Sequence, residues 1–256
     1  MEILTLQGLG DGMRNLKMVI SYDGTDFYGW QRQPNGPTVQ EALADVLEQI
    51  TGVRKYPVAS GRTDSGVHAL GQVAHWQTES RLSTHVLLRA INANLPDSIS
   101  LLSLEEVDAE FHAVRCAKSK LYRYVYHDGP NPELFLRNFC WKVHGRLDDN
   151  AMKEGAGYFL GTHDFRSFET EWPNRLTSVR TIQICRVARL GDFVYLDVAS
   201  NGFLYNMVRA FAGTLFEIGS GKWAAKAVPE IITGQNRALA GRTAPAKGLF
   251  LVRVEY

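Results

Sequence analysis

The chain has 256 residues, 45% apolar and 21% charged, with a net charge of +1; this excludes a disordered or fibrous chain and describes a globular one. Three cysteines, Cys116, Cys140 and Cys185, are odd in number and far apart, which argues against a disulfide frame or a zinc site and for a reducing, cytoplasmic setting. No apolar run reaches bilayer-spanning length and the N-terminus lacks a basic-then-apolar signal, so no membrane association is expected.

Residues 1–15 have no clear period and read as a loose tail, with Met13 as an alternative start. Lys17–Tyr22 is strand-like and ends at the turn Asp23-Gly24. Thr38 then opens a helix, and Glu41 three residues on completes a capping box. Val39, Ala42, Leu43, Val46, Leu47 and Ile50 mark its apolar face, and Gly52 closes it. Val73–Trp76 is a strand. Ser83 starts a second helix with Val86, Leu87, Ala90 and Ile91 inward, and Pro96 forbids its continuation. Ile99–Leu104 follows as a strand. Residues 17–115 thus read β, α, β, α, β, the pattern of helices packed on a sheet.

The second half repeats this rhythm. Lys120–His127 alternates, with Tyr122, Tyr124 and Tyr126 on one side and Leu121, Arg123 and Val125 on the other. Asp148–Leu160 is a weaker helix interrupted by Gly155 and Gly157. Ser178–Ala188 and Phe193–Ala199 are strands around the turn Leu190-Gly191-Asp192. A helix over Tyr205–Ile218 ends at Gly219, and Phe250–Tyr256 alternates as a closing strand. No Pro- or Ser-rich linker separates the halves, so the boundary near residue 115 is soft. The expectation is two similar α+β lobes, 16–115 and 116–256, sharing a cleft or a continuous sheet.

The segment Ser60-Gly61-Arg62-Thr63-Asp64-Ser65-Gly66 places one carboxylate between two glycines and two residues from an arginine. Glycines let a partner approach closely, and a guanidinium keeps a carboxylate ionised. A nucleophilic aspartate needs both; a tight loop with a surface ion pair is the other reading. Arg209 is the one charged residue between Leu204 and Phe216, so it either meets an anion, with Asp64 an attractive partner, or reaches past the helix edge to water. The tyrosine stripe has two readings as well: core, or a platform on which one ring stacks against a flipped base. Residues 1–115 hold 9 Lys and Arg against 14 Asp and Glu, a net of −5, leaving +6 for residues 116–256. A basic half suits a polyanion.

Other chemistries find no support. His68, His75, His112 and His163 lack metal-site spacing, and the zinc nucleobase deaminase signature is absent. Gly219-Ser220-Gly221-Lys222 is not a phosphate loop, because Phe216 holds the first glycine position. Gly8-Leu9-Gly10-Asp11-Gly12 is not a dinucleotide fingerprint, and no Gly-x-Ser-x-Gly elbow occurs.

In order along the chain, Tyr22-Asp23-Gly24-Thr25-Asp26-Phe27-Tyr28-Gly29-Trp30-Gln31-Arg32-Gln33, Gly61-Arg62-Thr63-Asp64, Tyr122-Arg123-Tyr124, Gly202-Phe203-Leu204 through Met207-Val208-Arg209, and Ala244-Pro245-Ala246-Lys247-Gly248-Leu249 closely resemble the TruA family of tRNA pseudouridine synthases. The resemblance runs from about Lys17 to Tyr256; Ser65 stands where the family usually has alanine, and the tail before Asn15 has no counterpart. It implies the pseudouridine synthase fold, two ferredoxin-like or RRM-like lobes forming a mixed, mainly antiparallel sheet flanked by helices. It implies isomerisation of uridine to pseudouridine at positions 38, 39 and 40 of the tRNA anticodon stem-loop, without metal, nucleotide or other cofactor, by a homodimer. In the same terms Asp64 matches the catalytic aspartate and Tyr122 the tyrosine that stacks on the target base and helps remove the C5 proton. Arg209 matches the arginine that pairs with the aspartate, and Arg62 the one that displaces the base. The rivals are an RNA-binding module of ferredoxin-like lobes without catalysis, and a pseudouridine synthase acting on another RNA.

Overall fold

The computed structural model describes residues 12–170 and 177–256. It divides into two compact units. The first runs to Ser65 and resumes over Ala69–Ala117; the second comprises Gly66–His68 and Lys118–Tyr256. Each is α+β, with largely antiparallel strands and helices packed against them.

The first unit contains β1 (Arg14–Tyr22), α1 (Val39–Thr51), β2 (Val58–Ala59), β3 (His68–Thr78) from Ala69 onward, α2 (Thr84–Asn94) and β4 (Ile99–Val107). β1 lies between β3 and β4, antiparallel to both, and the short β2 pairs with β3. Alternation along β1 buries Leu16, Met18 and Ile20 completely. Each such side chain contributes roughly 1.5–3 kcal/mol by leaving water. The α1 signals act as expected: Thr38 Oγ1 accepts from the Glu41 amide at 3.3 Å, and Gly52 ends the helix with φ +75°. Val39, Leu43, Val46 and Leu47 are buried, while Ala42 and Ile50 are partly exposed at the edge of the stripe.

Two expectations need correction here. β1 begins at Arg14, not Lys17, so residues 14 and 15 belong to the sheet and not to a tail. Arg14 donates to the Ser80 and Leu82 carbonyls at 2.8 and 2.7 Å, and Asn15 to those of Asp108 and Phe111 at 2.9 Å each. Polar side chains thus extend a strand whose apolar alternation starts later. The rest of the expected tail, residues 1–11, lies outside the described residues. In α2, Leu87 and Ile91 face inward but Val86 is exposed, because this short helix has a two-residue apolar seam.

The second unit contains β5 (Ser119–His127), β6 (Trp141–Lys142), α3 (Asp149–Gly157), β7 (Gly161–Asp164), β8 (Val179–Leu190), β9 (Phe193–Ser200), α4 (Met207–Gly219), α5 (Ala227–Gly234) and β10 (Leu249–Glu255). The strand order is β10-β5-β9-β8-β7, antiparallel throughout, with β6 added parallel to the end of β5. Tyr124 and Tyr126 are buried beneath α4 and its flanks; Tyr126 Oη donates to the Ala212 carbonyl at 2.9 Å. Tyr122 is buried as well, at 8% exposure, so all three rings of the stripe lie in the core, the commoner of the two options. Phe211 of α4 stacks on Phe159 at 3.9 Å and is met edge-on by Phe168 at 4.9 Å.

Candidate active site

Asp64 lies in the turn between β2 and β3, and the first unit holds that turn from behind. Tyr22, at the end of β1, places its hydroxyl 2.7 Å from Thr63 Oγ1. Gln72, on β3 and fully buried, donates to the Gly61 carbonyl at 2.9 Å and to Tyr22 Oη at 3.5 Å, and accepts from Ser60 Oγ at 3.2 Å. Burial pushes the Tyr22 phenol up to about 12, against the lowering effect of its hydrogen bonds to Thr63 and Gln72, so it stays neutral.

The second brace is main chain. The Trp30 amide donates to the Thr63 carbonyl at 3.0 Å, and Ser65 Oγ donates to the Phe27 carbonyl at 3.3 Å. Gly29 makes this approach possible. At φ +83°, a Cβ there would lie 2.4 Å from the Thr63 oxygen and 3.0 Å from the Asp64 carbonyl carbon. The segment Phe27–Trp30 is therefore packed directly against the Asp64 turn. On that turn Thr63 is buried, Asp64 is half-buried and Arg62 is exposed. A fixed backbone beneath a partly exposed carboxylate is what positioning chemistry needs.

In the second unit Tyr122 and Arg209 share a support. Tyr122, on β5, is met edge-on by Phe203 at 5.0 Å, and Phe203 leads into α4. Asn206 caps that helix in the left-handed region, φ +61°, where asparagine is tolerated better than most residues. Its Oδ1 accepts from Arg209 Nη1 at 2.9 Å and its Nδ2 donates to Thr170 Oγ1 at 3.0 Å. Arg209 Nε donates to the Ala244 carbonyl at 2.7 Å, and the Arg209 carbonyl accepts from the Ala244 amide at 3.1 Å. Next to it, the Pro245 carbonyl accepts from Tyr124 Oη at 2.8 Å. Arg209 is thus half-buried and oriented by named partners; it does not simply trail into water.

Sequence reasoning singled out Asp64, Arg62, Tyr122 and Arg209; Asp64, Tyr122 and Arg209 stand on defined supports within their own units, whereas Arg62 is exposed on the same turn as Asp64. It did not single out Tyr22, Gln72, Gly29 or Asn206 as positioning residues. Gln72 stands in a strand that also holds His68, His75, Gln77 and Thr78, so nothing in the sequence set it apart, and all four required the fold. Among the described residues, no group of three or more His, Cys, Asp or Glu could hold a metal ion. No helix among them is long and apolar enough to cross a membrane.

The sequence profile of the family described as tRNA pseudouridine synthase matches residues 18–115 and 156–256. Those ranges include Arg62, Asp64 and Arg209, while Tyr122 falls in the stretch between them. The tRNA pseudouridine synthase A of Acetivibrio thermocellus is 45% identical over 244 residues, 95% of this chain and 100% of that protein. The enzyme of the same name from Moorella thermoacetica is 44% identical over 243 residues, 94% of this chain and 99% of that one. A Cbf5-Nop10-Gar1 complex overlaps at a TM-score of 0.35, with 16% identity over 78% of this chain and 45% of that one, an overlap too low to argue from. Matched along nearly its whole length, with the braced Asp64 turn and the Arg209 helix inside the shared ranges, this chain belongs to the tRNA pseudouridine synthase family.

Proposed function

We propose that this protein is a tRNA pseudouridine synthase that isomerises uridine to pseudouridine at positions 38, 39 and 40 of the anticodon stem-loop. The observation that carries the reading is the double brace on the Asp64 turn, in a chain whose relatives bear that activity in their names. The uridine is stacked in RNA, so it must first be extruded, at a cost of roughly a few kcal/mol. Arg62, exposed beside Asp64, fills the space the base leaves. Tyr122 stacks on the extruded uracil, which offsets part of the cost.

Asp64 then attacks C1′ through a carboxylate oxygen. The N1–C1′ bonding pair leaves with the uracil, which turns until C5 faces C1′. A C5–C1′ bond forms as the carboxylate departs, Tyr122 helps take the C5 proton, and N1 gains one. Nothing is oxidised or reduced and no atom is lost, so the chemistry calls for no redox cofactor or nucleotide. In the terms of the family resemblance Arg209 is the partner of the catalytic aspartate, and the Asn206 and Ala244 contacts give its guanidinium a fixed direction. We further propose that the protein works in the cytoplasm as a homodimer with tRNA as its partner.

The test is to incubate unmodified tRNA with the protein, without added cofactor, and map the modified positions. Pseudouridine at 38–40 supports the reading. Pseudouridine elsewhere moves the substrate assignment, and tight binding without any product favours a non-catalytic RNA-binding module.

A further inference from the structure

The segment that braces the Asp64 turn continues into a cavity with no role in the chemistry above. A space of about 410 Å³ is lined by Arg32, Gln33, Pro34, Gly36, Pro37 and Glu41. Tyr28 stands beside it: its ring lies so close over Gly36 that a Cβ there would come within 2.6 Å of two ring carbons. The residue is nonetheless about half exposed, at 48%. Gln33 Nε2 donates to the Tyr28 carbonyl, and the Tyr28 amide donates to the Pro37 carbonyl at 2.8 Å. Two prolines, a ring-packed glycine and these bonds give the cavity set walls.

Its lining pairs one cation, Arg32, with one carboxylate, Glu41, and among the described residues the cation keeps its outer edge free for a further anion. Arg32 Nε donates to Glu41 Oε1 at 3.1 Å, and its guanidinium lies over the Tyr56 ring at 5.5 Å. Among the described residues its two terminal amino groups have no hydrogen-bond partner, and the side chain is 57% exposed. A guanidinium held by Nε and one ring face offers its outer edge, the pair of N–H groups that matches phosphate oxygens. This cation also stands in the acidic half of the chain, where general attraction for a polyanion is weak.

Arg32 is three residues from Gly29, whose backbone touches the Asp64 turn, so at most about 11 Å of chain separates the two. That is about three nucleotide rises of 3.4 Å along one strand. We infer that the Arg32–Pro37 cavity binds a nucleotide of the substrate RNA strand adjoining the target uridine, with Arg32 on its phosphate and Tyr28 against its base. The site would set how the strand is threaded past Asp64. This inference rests on the proposed function, since it takes Asp64 as the place of reaction.

The test measures tRNA binding by wild type, Arg32→Ala and Arg32→Lys at several salt concentrations, with pseudouridine formation followed in parallel. Arg32→Ala should weaken tRNA binding by about five- to tenfold and flatten the slope of log Kd against log salt by about one, because one phosphate contact is lost. The loss should fall on KM far more than on kcat, and Arg32→Lys should recover the slope while recovering only part of the affinity. A 4-thiouridine placed at each of the three positions on either side of the target in turn should also photo-crosslink, from at least one of them, to the Tyr28–Pro37 segment. An unchanged salt slope in Arg32→Ala, with wild type active on the same tRNA, overturns the cavity assignment and leaves the enzymatic reading standing. A wild type that binds tRNA but makes no pseudouridine fails that reading instead, and the salt slope still decides whether Arg32 meets a phosphate. Thermal melts of both variants show whether the first unit is folded; should Arg32→Ala be unfolded, the crosslink with wild-type protein decides, and its absence from Tyr28–Pro37 overturns the assignment.

Discussion

Tyr22 and Thr63, 41 positions apart, join their hydroxyls at 2.7 Å, and the residue after Thr63 is Asp64. The end of a sheet strand thereby fixes the turn that carries the carboxylate. Tyr22→Phe leaves the buried Thr63 hydroxyl without this partner, at a cost of about 1–2 kcal/mol. The expected outcome is a lower melting temperature with kcat reduced about tenfold and tRNA affinity kept. Unchanged kcat would show that the turn does not need this hydrogen bond.

The same tyrosine gives a pH prediction. Its folded pKa is pushed up to about 12 from an ordinary value of 10, chiefly by burial. Below pH 10 both states are protonated and nothing is lost. Between about 10 and 12 the unfolded chain releases a proton that the folded one keeps, so stability falls as pH rises. Tyr124 and Tyr126 are also raised by burial and steepen the fall. Chemical denaturation at pH 9 to 12 should show a decline that is shallower in Tyr22→Phe; identical slopes would remove Tyr22 from this account.

Gly29 tests the main-chain brace. Alanine there meets both a positive φ of +83° and the Thr63 carbonyl oxygen at 2.4 Å, so the backbone of one segment must move. Gly12 is the control, with φ +99° and, among the described residues, no atom within 4 Å of its would-be Cβ. Gly12→Ala should cost only about 1–2 kcal/mol of local backbone strain. Gly29→Ala should cost more and also lower pseudouridine formation, read by melting and by turnover on unmodified tRNA. Equal melting losses in the two variants would mean that the turn yields without cost.

Much of this arrangement is legible in sequence where the signal is local. Thr38, Glu41 and Gly52 bound α1 because capping acts over three or four residues, and the alternation of β5 shows for the same reason. Arg14 and Asn15 do not show as strand, since their bonds go to carbonyls 66 and more residues away. α5 is missed because its eight residues include Pro229 and end at Gly234, and the proline is tolerated within the first turn of a helix. The Asp64 turn is visible through its glycines and arginine, whereas its braces, Tyr22, Gln72 and Gly29, become visible only when distant segments meet.

Asn206 separates backbone from side-chain function on the Arg209 helix. Asn206→Gly accepts φ +61° freely, but loses the carbonyl oxygen 2.9 Å from Arg209 Nη1. Asn206→Ala loses both. The expected pattern is near-normal melting for the glycine variant and a loss of about 1 kcal/mol for alanine, with turnover down about tenfold in both. If glycine restores turnover together with stability, Asn206 serves the helix start alone and does not position Arg209.

Asp64 and Tyr122 provide the most direct separation of binding from chemistry. Asp64→Asn keeps size and shape on a turn held by Tyr22, Gln72 and Trp30, so the fold and tRNA binding should survive. A neutral amide is a far poorer nucleophile than a carboxylate, and pseudouridine formation should fall by more than about a thousandfold. Tyr122→Phe keeps the ring against Phe203, and with it the stacking surface, but removes the hydroxyl. It should bind tRNA normally while releasing tritium from 5-tritiated uridine slowly, because the C5 proton loses its acceptor. Turnover by Asp64→Asn would refute the nucleophile outright, whereas full tritium release by Tyr122→Phe would reduce that tyrosine to a stacking platform.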